Sequence, residues 1–295
     1  MLKRSYRIRT SDVIIGAILT AIGIFVAYRI RVGLNYTWHW EKIPQFIFRY
    51  DTESGKWVSN ILMIGLYNTI RLSFWGIILA TMLGTVMGIL RSTKVVFLRL
   101  VSGTYVELMR NIPPLVIIFI VYFFLGDQIL PSTGIDEFLE NQSETFRSVM
   151  SFCFAPPSRF VAFISALLTL AIFEGAYITE IVRSGIQSIH KGQREASYSL
   201  GLSWYQQMRH IILPQAYRRI LPPMAGQLIS LIKDSSIVSV ISIQELTFQG
   251  TELMTGTLLT MEIWITVTLM YLMLTLPCSL IIERVEMRLA GHKSG

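Results

Sequence analysis

Apolar runs of membrane length recur along this chain, separated by shorter polar stretches. A helix needs about 20 residues to cross the hydrocarbon core, and about six segments approach or exceed that length: 12–30, 60–90, 104–126, 159–184, 220–243 and 262–283. Two of them are free of charge throughout Leu72–Leu90 and Ile263–Ile282. The others carry polar or ionisable residues inside an apolar frame. The pattern predicts an all-α polytopic membrane protein. It shows no internal repeat, which counts against the many secondary transporters built from duplicated halves.

The polar stretches set an orientation. Lys3, Arg4, Arg7 and Arg9 precede the first apolar run, and Arg91, Lys94 and Arg99 follow the second. Lys191, Arg194 and Arg209, and the tail with Arg288 and Lys293, fall on the same side. Cytoplasmic loops collect Lys and Arg, so these segments and both termini are expected inside. Arg29, Arg31 and Lys42, in the first outer loop, run against the trend without reversing it. The basic start has the form of a signal peptide, but no small-residue cleavage site follows, so the first run reads as an uncleaved span.

Two outer loops remain, 31–59 and 127–158. The first holds Tyr36, Trp38, Trp40, Phe46, Phe48, Tyr50 and Trp57, rings that favour a membrane–water interface. A dedicated aromatic binding cage is the other reading of the same residues. The second mixes Pro131, Gly134, acids and Pro156-Pro157, as expected of a partly ordered extracytoplasmic insertion.

Composition narrows the function. The 295 residues are 52% hydrophobic and 15% charged, with a mean hydropathy of +0.52. The net charge of +7 could suit nucleic acid, but no recognition motif is present and the positive loops of a membrane protein explain the charge. Cys153 and Cys278 are too far apart in sequence and context to suggest a disulfide framework. The histidines His39, His190, His210 and His292 lack metal-ligand spacing. The phosphate-binding spacing Gly-x4-Gly-Lys-Ser/Thr is absent, as are His-Glu-x-x-His, Cys-x-x-Cys and Gly-x-Ser-x-Gly. No catalytic constellation is visible, and the chain is not read as an enzyme.

One basic, polar segment stands out between apolar neighbours: Glu180–Pro214, EIVRSGIQSIHKGQREASYSLGLSWYQQMRHIILP. Within it Gln193–Leu200 reads as a short helix ended by Gly201, which can take the left-handed conformation that stops a helix. Ser203 then restarts a helix as N-cap, with Gln206 completing a capping box. The second piece is expected to stop at Leu213-Pro214, because proline lacks the donor and disfavours helix before it. Trp204, Met208, Ile211 and Ile212 would form its apolar face. On these grounds alone, an amphipathic hairpin resting on lipid is as good a reading as a docking element.

The spacing Glu195-Ala196-Ser197, three residues, Gly201, nine residues, Ile211-x-Leu213-Pro214 resembles the EAA loop of ATP-binding-cassette importer permeases. That resemblance implies a type I importer permease fold, in which this two-helix loop docks onto a separate ATPase. Glu195, Ala196, Ser197, Gly201, Leu202, Ile211, Leu213 and Pro214 would carry the coupling. Ser197 stands where the pattern has a second Ala, a conservative change. Glu107-Leu-Met-Arg110-Asn111-Ile-Pro113-Pro114-Leu115, Glu174-Gly-Ala-Tyr-Ile-Thr-Glu180-Ile-Val-Arg183-Ser-Gly185 and Lys233-Asp-Ser-Ser-Ile-Val-Ser-Val-Ile241 look like the polar-amino-acid permeases of that superfamily. Asn111-Ile112, Pro114 and Ile117-Ile118 depart from its commoner wording.

The resemblance covers roughly 60–285 and implies a permease domain there, with the 127–158 insertion and the 185–215 loop inside it. An N-terminal span with its aromatic loop, 1–59, precedes it, and a cytoplasmic tail, 286–295, follows. The implied partners are an ATPase dimer holding ATP and Mg, a second permease subunit (identical or a sister chain), an extracytoplasmic solute-binding protein, a polar amino acid and membrane lipid, with no nucleic acid. The implied location is the bacterial inner membrane. No cofactor is expected on this chain. Two other readings are a secondary transporter or channel without an ATPase, and an ATPase-coupled subunit that senses without transporting.

Ionisable groups inside the spans are costly against lipid and should face protein or water. Lys233, Asp234, Ser235 and Ser236 follow one another in the fifth span and must occupy a wide arc of it. Glu174 and Arg71 are further candidates, and Pro113-Pro114 should break the third span and free carbonyls that only protein or a wet cavity can accommodate. Glu107, Arg110, Asn111, Pro113, Glu174 and Lys233–Ser236 are therefore candidates for the translocation path. Internal ion pairs, Lys233–Asp234 or Glu174 with an arginine, are an equal reading of the charged members, and snorkelling is a third.

Overall fold

The structure, a computed structural model, describes residues 10–33 and 36–291. Lys3, Arg4, Arg7, Arg9, His292 and Lys293, used above, lie outside the described residues. The chain divides into two compact units, one ending at Trp40 and the other beginning at Glu41. The first holds helix α1 (Thr10–Gly33), whose residues 10–26 are apolar and exposed along their described length. A helix apolar on all sides is built for lipid. After it, Trp38 and Trp40 stack with ring centroids 5.6 Å apart.

The second unit opens with a short helix α2 (Ile43–Ile47) and a hairpin of β1 (Phe48–Asp51) and β2 (Lys56–Ser59), antiparallel and paired Phe48↔Ser59 through Asp51↔Lys56. The turn works because Gly55 takes φ +64. Trp57 and Tyr50 meet edge to face at 5.7 Å and stay largely exposed. Asn60 ties this cap to the next helix: its N–H donates to the Ile47 carbonyl at 2.9 Å and its Nδ2 to the Gln45 carbonyl at 2.6 Å.

Helix α3 (Ile61–Arg91) is the organising element. Gly65, Thr69, Ser73, Gly76, Ala80, Gly84 and Gly88 recur at three- and four-residue spacing and are buried, while Ile64, Tyr67, Phe74, Ile78, Met82 and Val86 point outward. Small residues let helix backbones approach closely where no hydrophobic force operates between helices in lipid. The stripe packs chiefly on the helix Phe160–Gln187 (α8), and also on the helices Leu213–Asp234 (α11) and Leu246–Thr257 (α12).

The chain then runs through α4 (Val96–Asn111) and α5 (Pro114–Phe123). The break at Ile112-Pro113 is the one the prolines predicted, so the segment expected as a single span over 104–126 is two helices. A π turn (Phe124–Ile129), α6 (Ile135–Glu140) and α7 (Glu144–Cys153, capped by Ser143) form the insertion. Trp75 of α3 holds its end, donating from Nε1 to the Cys153 carbonyl at 2.9 Å and stacking on Phe154 at 4.7 Å.

After α8 come α9 (Lys191–Ser199), α10 (Trp204–Gln207), a π turn (Met208–Ile212) and α11 (Leu213–Asp234), which tightens into a 3-10 segment (Ser235–Ile241). The expected stop at Leu213-Pro214 does not occur. The π turn shifts the hydrogen-bond register just before Pro214, which then sits in the first turn of α11, where a missing N–H costs little. Helices α12 (Leu246–Thr257) and α13 (Thr260–Gly291) complete the unit. Among the described residues five helical stretches are long and apolar enough to cross a membrane: 61–91, 114–133, 157–187, 204–241 and 260–284.

Candidate functional site: the coupling loop and the polar cluster

The loop after α8 is built by local chemistry. His190 caps α9, its Nδ1 accepting from the Gly192 N–H at 3.2 Å. At the other end Gly201 takes φ +71. The Gly201 N–H reaches the Tyr198 carbonyl at 2.9 Å and the Leu202 N–H the Ser197 carbonyl at 3.2 Å, the paired bonds of a Schellman motif. Ser203 and Gln206 form the expected capping box, at 3.3 and 2.8 Å. Met208 and Ile212 are buried beneath the loop, Ile211 and Leu213 are half-buried, and Trp204 and Pro214 are exposed. The expected apolar face is thus only partly turned inward.

The loop is tied to the spans at two points. Arg194 donates to the Ile186 carbonyl at 2.8 Å, and Arg219 of α11 donates to the Ser188 carbonyl. Ser197 is buried, and its hydroxyl returns to the Arg194 carbonyl at 2.8 Å, so the extra oxygen is satisfied. The outer surface of the loop is a different matter. Ala196 is exposed, Tyr198 and Leu200 are 73% and 76% exposed, and the Glu195 carboxylate makes no hydrogen bond or ion pair among the described residues. Behind it lies a cavity of about 420 Å³ between the α3–α4 turn and the loop, lined by Lys94, Arg194, Glu195, Tyr198 and Trp204.

A second set of charged residues sits at the adjoining ends of α3, α4 and α8. Arg91 pairs with Glu180 and lies 3.6 Å from Glu107. Arg183 binds Glu180 through Nε at 2.9 Å and NH2 at 2.7 Å. Asn111 turns back on Glu107, to its carbonyl at 2.8 Å and its Oε2 at 3.0 Å, and the Arg110 guanidinium lies 5.6 Å from the Tyr177 ring centroid. Glu107, Arg110, Asn111 and Pro113 are all exposed, on one stretch of α4 and the break after it. The principal ion pairs of this region therefore use Arg91, Glu180 and Arg183, residues singled out in the sequence only for orientation and family likeness.

Deeper in the helices, Glu174 of α8 is fully buried. Its partner is Gln227 of α11, whose Nε2 donates to Oε2; no arginine reaches it, which removes that version of the ion-pair reading. Oε1 makes no hydrogen bond, although Asp234 approaches the same carboxyl group. Ser235 is buried and bonded to the Ile232 carbonyl at 2.8 Å. Lys233 forms no ion pair with Asp234; it is exposed and, with Ser236, Thr247, Trp264 and Tyr271, lines a cavity of about 240 Å³. These residues sit at the junction of α11 with its 3-10 extension, not in mid-helix.

Sequence reasoning passed over Glu245. It is fully buried and caps α12, accepting from the Thr247 and Phe248 N–H groups at 2.8 and 2.7 Å. Tyr271 of α13 donates to it at 2.7 Å, and the Thr69 hydroxyl of α3 donates to it at 3.5 Å while accepting from the Leu246 N–H at 3.1 Å. One carboxyl group thereby joins three helices. Burial pushes its pKa up from 4.5 to about 7. The available signal was an acid placed directly before an apolar helix. Among the described residues no group of three or more His, Cys, Asp or Glu is placed to hold a metal.

Closely packed helices long and apolar enough to cross a membrane, joined by a two-helix loop with an exposed outer face, mark an integral membrane protein. The chain belongs to the family described as Binding-protein-dependent transport system inner membrane component, whose sequence model matches residues 76–291. It is 34% identical over 230 residues to the probable glutamine ABC transporter permease protein GlnM of Bacillus subtilis, covering 78% of this chain and 94% of that one. It is 35% identical to the glutamine transport system permease protein GlnP of Escherichia coli, covering 80% and 96%, and 31% identical to the glutamate/aspartate import permease protein GltJ of Escherichia coli, covering 89% and 100%. The crystal structure of an amino acid ABC transporter with histidines superposes with a TM-score of 0.59 at 28% identity, over 77% of this chain and 94% of that one. The MetNI methionine ABC transporter in an inward-facing form matches the fold with the same TM-score, 0.59, at 17% identity.

Proposed function

We propose that this chain forms the translocation pathway of an importer for polar amino acids and is driven by a separate ATPase through α9 and α10. The observation that carries this reading is the loop itself. Its inner side is locked to the spans by caps and by Arg194 and Arg219, while its outer side leaves Ala196, Leu200 and the unpaired Glu195 carboxylate exposed, with the exposed Tyr198 ring meeting only Lys94 Nζ, 6.0 Å from its centroid. A rigid element with an unpaired carboxylate and exposed rings is suited to transmit motion from a docked protein.

In this mechanism a pair of permease subunits, identical or sister chains, rests on an ATPase dimer that holds ATP and Mg. A solute-binding protein delivers the amino acid from outside. Closure of the ATPases on nucleotide moves α9 and α10, and the continuous helix 204–241 carries the movement to Lys233, Asp234 and Ser236. This chain supplies the path and the ATPase supplies the hydrolysis. Arg91, Lys94, Lys191, Arg194 and Arg209 share the end bearing the loop, which favours that end, and both termini, in the cytoplasm of a bacterial inner membrane. The permease domain is assigned to 60–285, preceded by the α1 span with its aromatic loop and followed by a short tail from 286.

The test is uptake. Proteoliposomes holding this chain, its ATPase and its solute-binding protein are supplied with each radiolabelled amino acid in turn. ATP-dependent accumulation of a polar amino acid supports the reading, and accumulation driven by an ion gradient without ATP contradicts it.

A further inference from the structure

At the end of the second unit opposite the coupling loop, a cavity of about 410 Å³ lies among the starts of α3 and α8, the end of α7 and the turn after the 3-10 segment. Its polar lining is Asn68, Arg71, Ser151, Arg159, Ser242 and Gln244. These groups are wired together. Arg71 NH1 donates to Asn68 Oδ1 at 3.4 Å, Asn68 Nδ2 donates to the Gln244 carbonyl at 2.7 Å, and Arg159 NH1 donates to Gln244 Oε1.

Two guanidinium groups therefore share one cavity, and each spends a single N–H on a neutral amide. A guanidinium carries five N–H donors, so most of the donor capacity of both is unspent. No carboxylate lines the cavity, and neither arginine forms an ion pair among the described residues. Arg71 stands ten residues into a 31-residue helix, about 15 Å from its start. It therefore lies along the span, where a cation facing lipid is disfavoured, and not at its tip. Facing a wet cavity with an anion in it removes the penalty. The volume suits one small molecule.

We propose that this cavity is an anion site that takes the carboxylate of a small solute on the extracytoplasmic side, gripped between Arg71 and Arg159. The proposal rests on the importer reading above for its orientation and narrows it to an amino acid of net negative charge, whose second carboxylate is free to reach this site. Arg159, exposed at the mouth, meets the anion first. Arg71, half-buried, holds it against Asn68 and Ser242.

The test uses the complete complex of this chain with its ATPase, in nanodiscs of phosphatidylcholine, without binding protein. Binding of radiolabelled L-glutamate, L-glutamine and L-arginine is measured for the wild type, Arg71→Met, Arg71→Lys and Arg159→Gln. The site predicts saturable L-glutamate binding, weaker L-glutamine binding, and L-arginine weaker still. Losing either charge-assisted contact weakens L-glutamate binding by about tenfold or more, with Arg71→Lys retaining part of it. Should Arg71→Met fail to assemble, Arg159→Gln, at the exposed mouth, carries the test alone. No L-glutamate binding by the wild type, or binding unchanged in Arg159→Gln, overturns the proposal. A parallel set of nanodiscs containing phosphatidylglycerol, read by native mass spectrometry, separates the sources of negative charge. Arginine-dependent retention of that lipid with no solute binding overturns the solute assignment in favour of a headgroup site. A wild-type complex that assembles and hydrolyses ATP yet binds no anion sinks this proposal alone, whereas failure to assemble with any ATPase sinks the importer reading.

Discussion

Gly84 of α3 lies so close to Ile178 of α8 that a methyl group added at the glycine would come within 2.6 Å of the Ile178 Cβ and 2.8 Å of the Gly175 carbonyl oxygen. The neighbours are a β-branched side chain and a backbone atom, so neither can step aside without moving a helix. Gly88 stands in the same relation to Val182, at 2.6 Å. Lipid offers no hydrophobic gain for bringing helices together, so this close fit is what holds the central pair. Gly84→Val is expected to cost about 1–3 kcal/mol or to prevent packing altogether, seen as a lower unfolding temperature in detergent. Gly103→Ala is the control: no atom lies within 4 Å of its added Cβ, and it sits inside α4. It should leave stability unchanged or raise it by about 0.5–1 kcal/mol.

Glu180 holds two arginines at the adjoining ends of three helices. Its side chain and that of Arg91 are 19% and 18% exposed. Glu180→Gln leaves Arg91 and Arg183 facing each other without the negative charge they share, since the amide keeps only one acceptor oxygen. The expected loss is about 1–3 kcal/mol, smaller than for a fully buried pair because water reaches this one. Thermal unfolding of the purified chain measures it. Arg183→Gln should cost less, because Glu180 keeps Arg91.

Glu245 makes stability depend on pH. Its pKa rises on folding from 4.5 to about 7 because burial disfavours the charged form. The folded state therefore binds the proton more tightly than the unfolded state, and this contribution is full below 4.5 and is lost as pH rises through about 7. Glu245→Gln cannot ionise. Unfolding temperatures of the wild type and this variant, measured from pH 4 to 8, should show the wild type losing ground to the variant as pH rises through that window. Parallel curves would contradict the assignment.

Local chemistry was legible in the sequence and distant pairing was not. The stop at Gly201, the capping box of Ser203 and Gln206, and the break at Pro113 each depend on a few neighbouring residues whose types prescribe the geometry. The run past Pro214 was hidden because a π turn, which has no sequence signature of its own, absorbs the proline. Glu174 called for a partner, but an amide can bond a buried glutamate as an arginine can, and Gln227, which bonds only its Oε2, lies on another helix. Glu245 was missed because its value depends on Thr69 and Tyr271, which only the packed helices bring together. Within the aromatic segment, pairing Tyr50 with Trp57 required the hairpin register.

The central claim is that an external ATPase drives this chain through α9 and α10. The most direct measurement is solute-stimulated ATP hydrolysis by the complex reconstituted with its ATPase and solute-binding protein, comparing the wild type with Glu195→Leu and Gly201→Val. Gly201 needs its left-handed backbone to turn α9 into α10, and valine there opposes the turn by about 1–2 kcal/mol. The account predicts that stimulation falls by about tenfold or more in both variants, while each keeps the wild-type unfolding temperature of the spans within a few degrees. Undiminished stimulation in both variants would contradict it.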